Sequence, residues 1–301
     1  MRKTLKIVAT IVAALAVVLA VLALSAGALA DRKRNRVIEL RVAPVAFVSD
    51  EASVQRGKYL FQSRGCMECH GATGGGKDVV NDPGGMLVKS PNISPGPGSV
   101  VKEYTETDWV RTLRHGVSPK KHPLSLMPSR DYSRMTDVDL ASLVAYVRNL
   151  PPAVGDGAVI RFPLVVNALY AFGQIKDDAE EIDHALPPPA PIAEAVSVEH
   201  GAYVANLCLG CHGARFSGGK IPGTPPDWPP ASNLTPGSGS AMPRYDTNEK
   251  FAAMLRTGKR PDGSAVSFVM PFGTLRNLSD TDVGALYVFL NKLPALPAGG
   301  R

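Results

Sequence analysis

The chain has 301 residues, of which 45% are apolar, 20% charged and only 6% aromatic, with 29 glycines and 26 prolines. That length suits two ordinary domains, the Gly and Pro content makes much of the chain loop, and so few aromatics point to cores organised by something besides side chains. The formal net charge of +6 lies entirely in residues 1–41, which hold eight Lys/Arg and two acidic residues, so it does not indicate a nucleic-acid-binding face on the balanced remainder.

Residues 1–6 carry Arg2, Lys3 and Lys6 and read as a cytoplasmic n-region. Ile7 to Ala30 then runs 24 residues without a charge, enough for a helix across a bilayer. Ala28-Leu29-Ala30 offers a signal-peptidase site, but the apolar run exceeds the usual h-region of about 7–15 residues. Length therefore favours an uncleaved transmembrane signal-anchor over residues 7–30, and either reading exports the rest. Residues 31–50 form a basic juxtamembrane linker suited to anionic headgroups. Because Arg32, Lys33, Arg34 and Arg36 crowd that side too, the positive-inside rule decides little.

The four cysteines fall in two identical frames, Cys66-Met67-Glu68-Cys69-His70 and Cys208-Leu209-Gly210-Cys211-His212. Paired cysteines at this spacing serve disulfides, zinc knuckles or covalent haem. The histidine separates them: a disulfide has no use for it, and four cysteines saturate zinc. C-x-x-C-H in an exported chain is the attachment signature of c-type haem, with Cys66, Cys69, Cys208 and Cys211 forming thioethers and His70 and His212 binding iron. No strand–helix pattern of a thioredoxin-like unit surrounds either pair. Gly71 and Gly213 let backbone pass close to a flat ring.

The second frame repeats the first well beyond the cysteines. His70 and His212 stand 142 apart, and so do Asp108–Gly116 (DWVRTLRHG) and Lys250–Gly258 (KFAAMLRTG). Pro91–Gly96 (PNISPG) answers Ser232–Gly237 (SNLTPG) at 141, and Met135–Pro152 answers Leu278–Pro294 at 143. Such self-similarity predicts two domains of one fold, residues 51–152 and 199–296. The last helix of each has an N-cap at Thr136 or Ser279, Asp139 or Asp282 at N3 as in a capping box, and apolar residues at i, i+3, i+4, i+7. Further helices are expected over Thr107–His115 and Thr247–Thr257, and before each cysteine frame over Val54–Ser63 and Glu199–Leu207. No strand pattern stands out. The expected fold class is all-α: two tandem class I-like cytochrome c domains plus the N-terminal transmembrane helix.

Six methionines follow the two frames, and only Met127 and Met270 coincide in the repeat, each before a proline, which suits a loop presenting a side chain inward. They are the expected distal iron ligands. Met86, Met135, Met242 and Met254 read as core fillers. His115 aligns with Thr257 and His122 has no counterpart, so both read as surface histidines; His184 and His200 have no evident role. Arg114 and Arg256 recur at a helix end as candidate haem-propionate contacts, beside the plain reading of a solvated helix terminus. Between the domains, residues 153–198 form a Pro-rich linker around a short apolar piece, Leu164–Ile175. That piece is too short to span a bilayer and is expected to pack across the two domains.

The chain resembles membrane-anchored multihaem cytochromes c, in particular the cytochrome subunits of bacterial membrane-bound alcohol, aldehyde and gluconate dehydrogenases. The resemblance covers about Gln55–Pro152 and Glu199–Pro294 and rests on C-x-x-C-H, the N-[IL]-[ST]-P loop, the L-R-x-G helix end, and M-P ahead of the [ST]-D-x-D helix. It implies two covalently attached haem c groups, an electron carrier without catalytic residues, and haem domains in the periplasm on the bacterial inner membrane. The implied partners are membrane lipid and a redox protein such as a dehydrogenase subunit or an oxidase. The chain departs from those subunits in having two haem motifs where they commonly have three. Two rivals stand beside the carrier. A dihaem cytochrome c peroxidase-like enzyme would break the symmetry at one distal ligand, whereas both copies keep Met-Pro. A dihaem subunit of a haem–copper oxidase would change only the partner.

Overall fold

A computed structural model describes residues 2–225 and 227–301. The first element is a 33-residue helix, α1 (Arg2–Arg34), closing on Arg32, Lys33 and Arg34, where cations suit the C-terminal dipole. Among the described residues it is the one helix long and apolar enough to cross a membrane. Its described side chains are exposed along most of its length, and Ala26 and Ala30 are buried.

The first repeat opens with α2 (Glu51–Ser63), started by Asp50 accepting from the Ser53 amide, and continues into the short α3 (Cys66–His70). A hairpin follows, β1 (Asp78–Asn81) and β2 (Leu87–Lys89). Then come α4 (Glu106–His115), α5 (Ser129–Tyr132) and α6 (Asp137–Arg148). Thr105 and Asp108 close a full capping box on α4, and Gly116 ends it at φ 64°, left-handed backbone that favours glycine. The linker holds β3 (Val159–Arg161), α7 (Leu164–Ala171) and α8 (Asp178–Glu181). The second repeat has α9 (Val198–Val204) running into a 3-10 turn over Ala205–Cys208, then α10 (Leu209–His212), α11 (Asn248–Thr257), α12 (Phe272–Leu275) and α13 (Asp280–Lys292).

Each repeat builds its own core in the same way. Leu60, Trp109, Leu113, Leu140 and Val144 meet in one cluster, and Val204, Phe251, Leu255, Val283 and Leu286 meet in the other. The first helix crosses the last at a glycine: a β-carbon on Gly57 would overlap the Ser142 carbonyl, and one on Gly201 would overlap the Ala285 carbonyl. The fold is mostly helical, as expected, and β1, β2 and β3 add a small antiparallel sheet in that order that was not expected. Strands this short, three or four residues, carry too little alternation to be seen in sequence. In the apolar linker piece α7 packs on α1, and Ile175 at its end lies against Gly223 of the second repeat.

The repeats are joined by a crossed pair of tyrosine–carboxylate contacts. Tyr59 of α2 donates to Asp282 Oδ2 at 2.6 Å, and Tyr203 of α9 donates to Asp139 Oδ2 at 2.6 Å. Each phenol oxygen also receives the amide of the opposite N-cap residue, Ser279 at 3.0 Å and Thr136 at 3.3 Å. The N3 aspartates therefore reach across to the other repeat instead of closing capping boxes on their own helices. Each is also met from its own side, Asp139 by Arg56 at 2.8 Å and Asp282 by His200 Nε2 at 2.7 Å. Arg64 adds a cross-repeat ion pair to Asp282 at 2.9 Å. Burial raises the pKa of both carboxyls, but Arg56 and Tyr203 outweigh it at Asp139, and Arg64, Tyr59 and His200 at Asp282, so both are held below the ordinary aspartate value.

Removing the charge on Asp282 leaves Arg64 buried beside a neutral amide. Asp282→Asn is expected to lower unfolding free energy by about 3–5 kcal/mol, while Asp280→Asn, at a fully exposed carboxylate two residues earlier, should cost no more than about 0.5 kcal/mol. Denaturant titration of the two holoproteins checks the contrast, and equal midpoints would refute it.

Candidate cofactor-binding site

The two C-x-x-C-H frames form short helices with the same surroundings. Gly71 and Gly213 end them at φ 75° and 76° with ψ near 166°, a backbone region open essentially to glycine alone. The close approach expected of these glycines is thus accompanied by a backbone demand of their own. No disulfide joins any of the four cysteines. Burial pushes the Cys66 and Cys208 thiols up to about 12, the opposite of a redox-active pair. Among the described residues no three His, Cys, Asp or Glu side chains come together to hold a bare metal ion, so the zinc reading finds no cluster.

Both frame histidines are held through Nδ1. His70 Nδ1 meets the Pro91 carbonyl at 3.0 Å, and His212 Nδ1 meets the Ser232 carbonyl at 2.8 Å. A carbonyl only accepts, so Nδ1 carries the proton and the neutral ring keeps its lone pair on Nε2. Burial lowers the pKa of both rings and favours that neutral form. The carbonyls sit in the N-[IL]-[ST]-P loops, and the loop asparagines explain that motif. Asn92 Oδ1 accepts from the Ser94 amide and hydroxyl, both at 2.8 Å, while Nδ2 donates to the Pro97 and Ala153 carbonyls at 2.9 Å. Asn233 repeats this with Thr235, Ser238 and Leu296. The sequence marked these loops as repeated but gave them no task. A buried asparagine just after the carbonyl was the available signal.

Met127 and Met270 lie half-buried against the two cores, each in the turn leading to the short helix α5 or α12. Met135, Met242 and Met254 are buried core residues, as their reading as fillers expects, and Met86 sits in the β1–β2 hairpin. Arg114 is buried and donates to the Met135 carbonyl at 2.7 Å and pairs with Asp137 at 2.7 Å. Arg256 likewise donates to the Leu278 carbonyl and pairs with Asp280 at 2.9 Å. In both copies this arginine ties the loop after the methionine to the start of the last helix. His115 pairs with His184 at 3.0 Å and His122 Nδ1 faces the Arg36 carbonyl, so neither stands beside a cysteine frame.

The frames also meet the opposite repeat. Gly210 donates its amide to Asp131 Oδ1 of α5 at 3.1 Å. Reciprocally, a β-carbon on Gly273 of α12 would overlap the Glu68 carboxylate in the first frame, and Thr274 stands over Gly65. The helix that follows each methionine turn thus rests on the other repeat's cysteine frame. The donor set of each frame, two half-buried thiols and an Nε2 lone pair, with a methionine turn packed on the same core, fits a covalently held haem c.

Comparisons with known proteins agree with this chemistry. Residues 52–147 match the family described as cytochrome C oxidase, cbb3-type, subunit III. The chain is 25% identical over 288 residues to the cytochrome c subunit of the quinone alcohol dehydrogenase of Gluconobacter oxydans, covering 83% of this chain and 57% of that protein. It is 26% identical over 283 residues to the gluconate 2-dehydrogenase cytochrome c subunit of Pantoea cypripedii, covering 83% and 62%. A diheme cytochrome c-type protein of Cereibacter sphaeroides is 32% identical over 121 residues, 36% of this chain and 40% of that one. The chain thus spans from two fifths to about three fifths of the length of these relatives.

Asp131 carries a pH dependence. Burial, reinforced by Asp178, pushes its carboxyl up to about 7 despite Arg130 and the Gly210 amide. The native state then binds more protons than the unfolded chain between about pH 4 and 7, so this group makes stability fall as pH rises through that window. Asp131→Asn, which can still accept from Gly210, is expected to flatten the holoprotein's thermal midpoint between pH 4.5 and 7.5 and to raise it at pH 7.5 by roughly 4 °C or more. A pH profile parallel to wild type would contradict the assignment.

Proposed function

We propose that the chain is a membrane-tethered dihaem cytochrome c, built of two tandem class I-like domains over residues 51–152 and 199–296. It relays electrons between a dehydrogenase on the periplasmic side of the bacterial inner membrane and a downstream acceptor. The observation that carries this reading is the duplicated site: two cysteine frames, each with its histidine held by Nδ1 on a loop carbonyl and a matching Met-Pro turn. Cys66, Cys69, Cys208 and Cys211 would hold the two groups, His70 and His212 would bind iron on one side, and Met127 and Met270 on the other. Haem iron with one nitrogen and one thioether ligand supplies one-electron transfer at a raised potential.

The protein's own part is positional. The loop carbonyls fix each imidazole's tautomer and direction, which would leave Nε2 to bind iron. The methionine turns, braced by Arg114 and Arg256, would offer a thioether as the second iron ligand, which suits a relay better than catalysis. The crossed contacts between α5 and the second frame, and between α12 and the first, keep the two sites adjacent for exchange between them.

Similarity over most of the chain to subunits named for alcohol and gluconate dehydrogenases favours a dehydrogenase as the electron donor. The oxidase family matching residues 52–147 supports a second reading, in which the partner is a haem–copper oxidase. Affinity purification from membranes separates them by the subunit that comes along.

The ligand assignment predicts a clean dissection. Met127→Ala and Met270→Ala should each turn one centre high-spin and lower one midpoint potential, by on the order of 100 mV within the roughly 0.8 V that axial ligands span, leaving the other centre unchanged. Optical redox titration of the two variants reads this directly. Two low-spin centres with unaltered potentials in either variant would remove that methionine from the ligand set.

A further inference from the structure

We infer that α7 is a second membrane contact, a short helix lying in the headgroup layer beside the point where α1 leaves the bilayer. The inference rests on the reading of α1 as a transmembrane anchor. Its first support is where α7 packs. Ala26 and Ala30, one turn apart, are buried on a helix whose other described apolar side chains are mostly exposed, and α7 is the element that packs on α1. Small residues at this spacing let two helices approach closely.

The second support is a set of polar ties on one face of α7. Lys33 Nζ donates to the Tyr170 carbonyl at 3.0 Å and lies 4.3 Å from the Tyr170 ring centre, and Arg34 donates to Asn167. Arg36 grips both Asp177 oxygens at 2.7 Å, and Tyr170 donates to the same carboxylate at 2.6 Å. These ties fix α7 against residues 26–36, the stretch where α1 passes from uncharged to charged.

The third support is what the other face leaves in solvent. Leu164, Val165, Leu169 and Phe172 are 52, 63, 40 and 62% exposed and fall on one stripe of the helix. Arg161 and Lys176 flank it, both exposed, as cations flank interfacial segments. An uncharged run of 24 residues is about 36 Å of helix, longer than a hydrocarbon core of about 30 Å, so its last turn reaches the interface where α7 sits. Apolar stripe, basic flanks and depth agree on a lipid surface as the occupant. The contact would set the height and tilt of the haem repeats over the membrane.

Nitroxide depth measurement tests this in the full-length holoprotein, reconstituted alone into vesicles of phosphatidylethanolamine and phosphatidylglycerol. Labels go on Val165→Cys and Phe172→Cys, with Ile11→Cys as the anchor control and Val154→Cys, at an 85% exposed site, as the aqueous control. The expected result is that labels at 165 and 172 relax with oxygen and are at least threefold less accessible to a water-soluble nickel chelate than the label at 154. Labels at 165 and 172 that match 154 while 11 is shielded from nickel would overturn the inference and leave the anchor standing. A label at 11 open to nickel would overturn both. Labels at 165 and 172 shielded from oxygen and nickel alike would mark a protein contact and overturn the lipid assignment.

Discussion

Two buried carboxylates, Asp139 and Asp282, set the arrangement of everything else. Each occupies the third position of the last helix in its repeat and accepts a hydrogen bond from a tyrosine of the other repeat. Desolvating a carboxylate is expensive, and a buried ion pair often contributes little net stability. Its value is that the charge tolerates one arrangement only. Asp282 needs Arg64, Tyr59 and His200 at once, and Asp139 needs Arg56 and Tyr203, so a sliding or rotated docking of the repeats would strand a charge. Hydrophobic faces alone would not discriminate so sharply, because apolar burial is non-directional.

That constraint reaches the cysteine frames through a rigid path. Asp139 lies in the first turn of α6, and the chain leaving α6 presents the Ala153 carbonyl to Asn92. Asn92 shapes the loop whose preceding carbonyl, that of Pro91, receives the His70 ring. The second copy runs from Asp282 along α13 to the Leu296 carbonyl, Asn233, the Ser232 carbonyl and His212. Docking between repeats and ligand orientation within each are thus two ends of the same helix. The glycines at the helix crossing, Gly57 and Gly201, let that helix sit close enough to be held by the first one.

The repeat made much of this legible. Local signals marked the last helices, because capping residues, apolar spacing and a terminal proline agree there, and the cysteine frames because their spacing is specific. What stayed hidden was non-local. Tyr59 and Tyr203 share the pattern Arg/His-Gly-x-Tyr, yet nothing in one repeat says that its tyrosine serves the other. The N3 aspartates looked like capping-box members because the sequence cannot show that an amide already has a partner elsewhere. His200 appeared idle for the same reason, and the three-stranded sheet joins a loop to a linker about 70 residues downstream. The apolar linker helix was visible as apolar, but its neighbour α1 was not.

Where the repeats differ, they differ around the sites rather than in them. Cysteines, histidines, loop asparagines and Met-Pro turns are shared, while the residues where the two frames meet are not. The first frame carries Glu68 and faces Thr274; the second has Gly210 in that place and faces Asp131 and its neighbour Arg130. Arg64, just before the first frame, corresponds to Asn206 before the second. Duplication kept the C-x-x-C-H, asparagine and Met-Pro positions, and divergence went into the charged residues where the frames meet. In a low-dielectric interior those charges act strongly on any site that gains or loses an electron. On the dihaem reading proposed above, the two centres would share their ligands and differ in the charges around them.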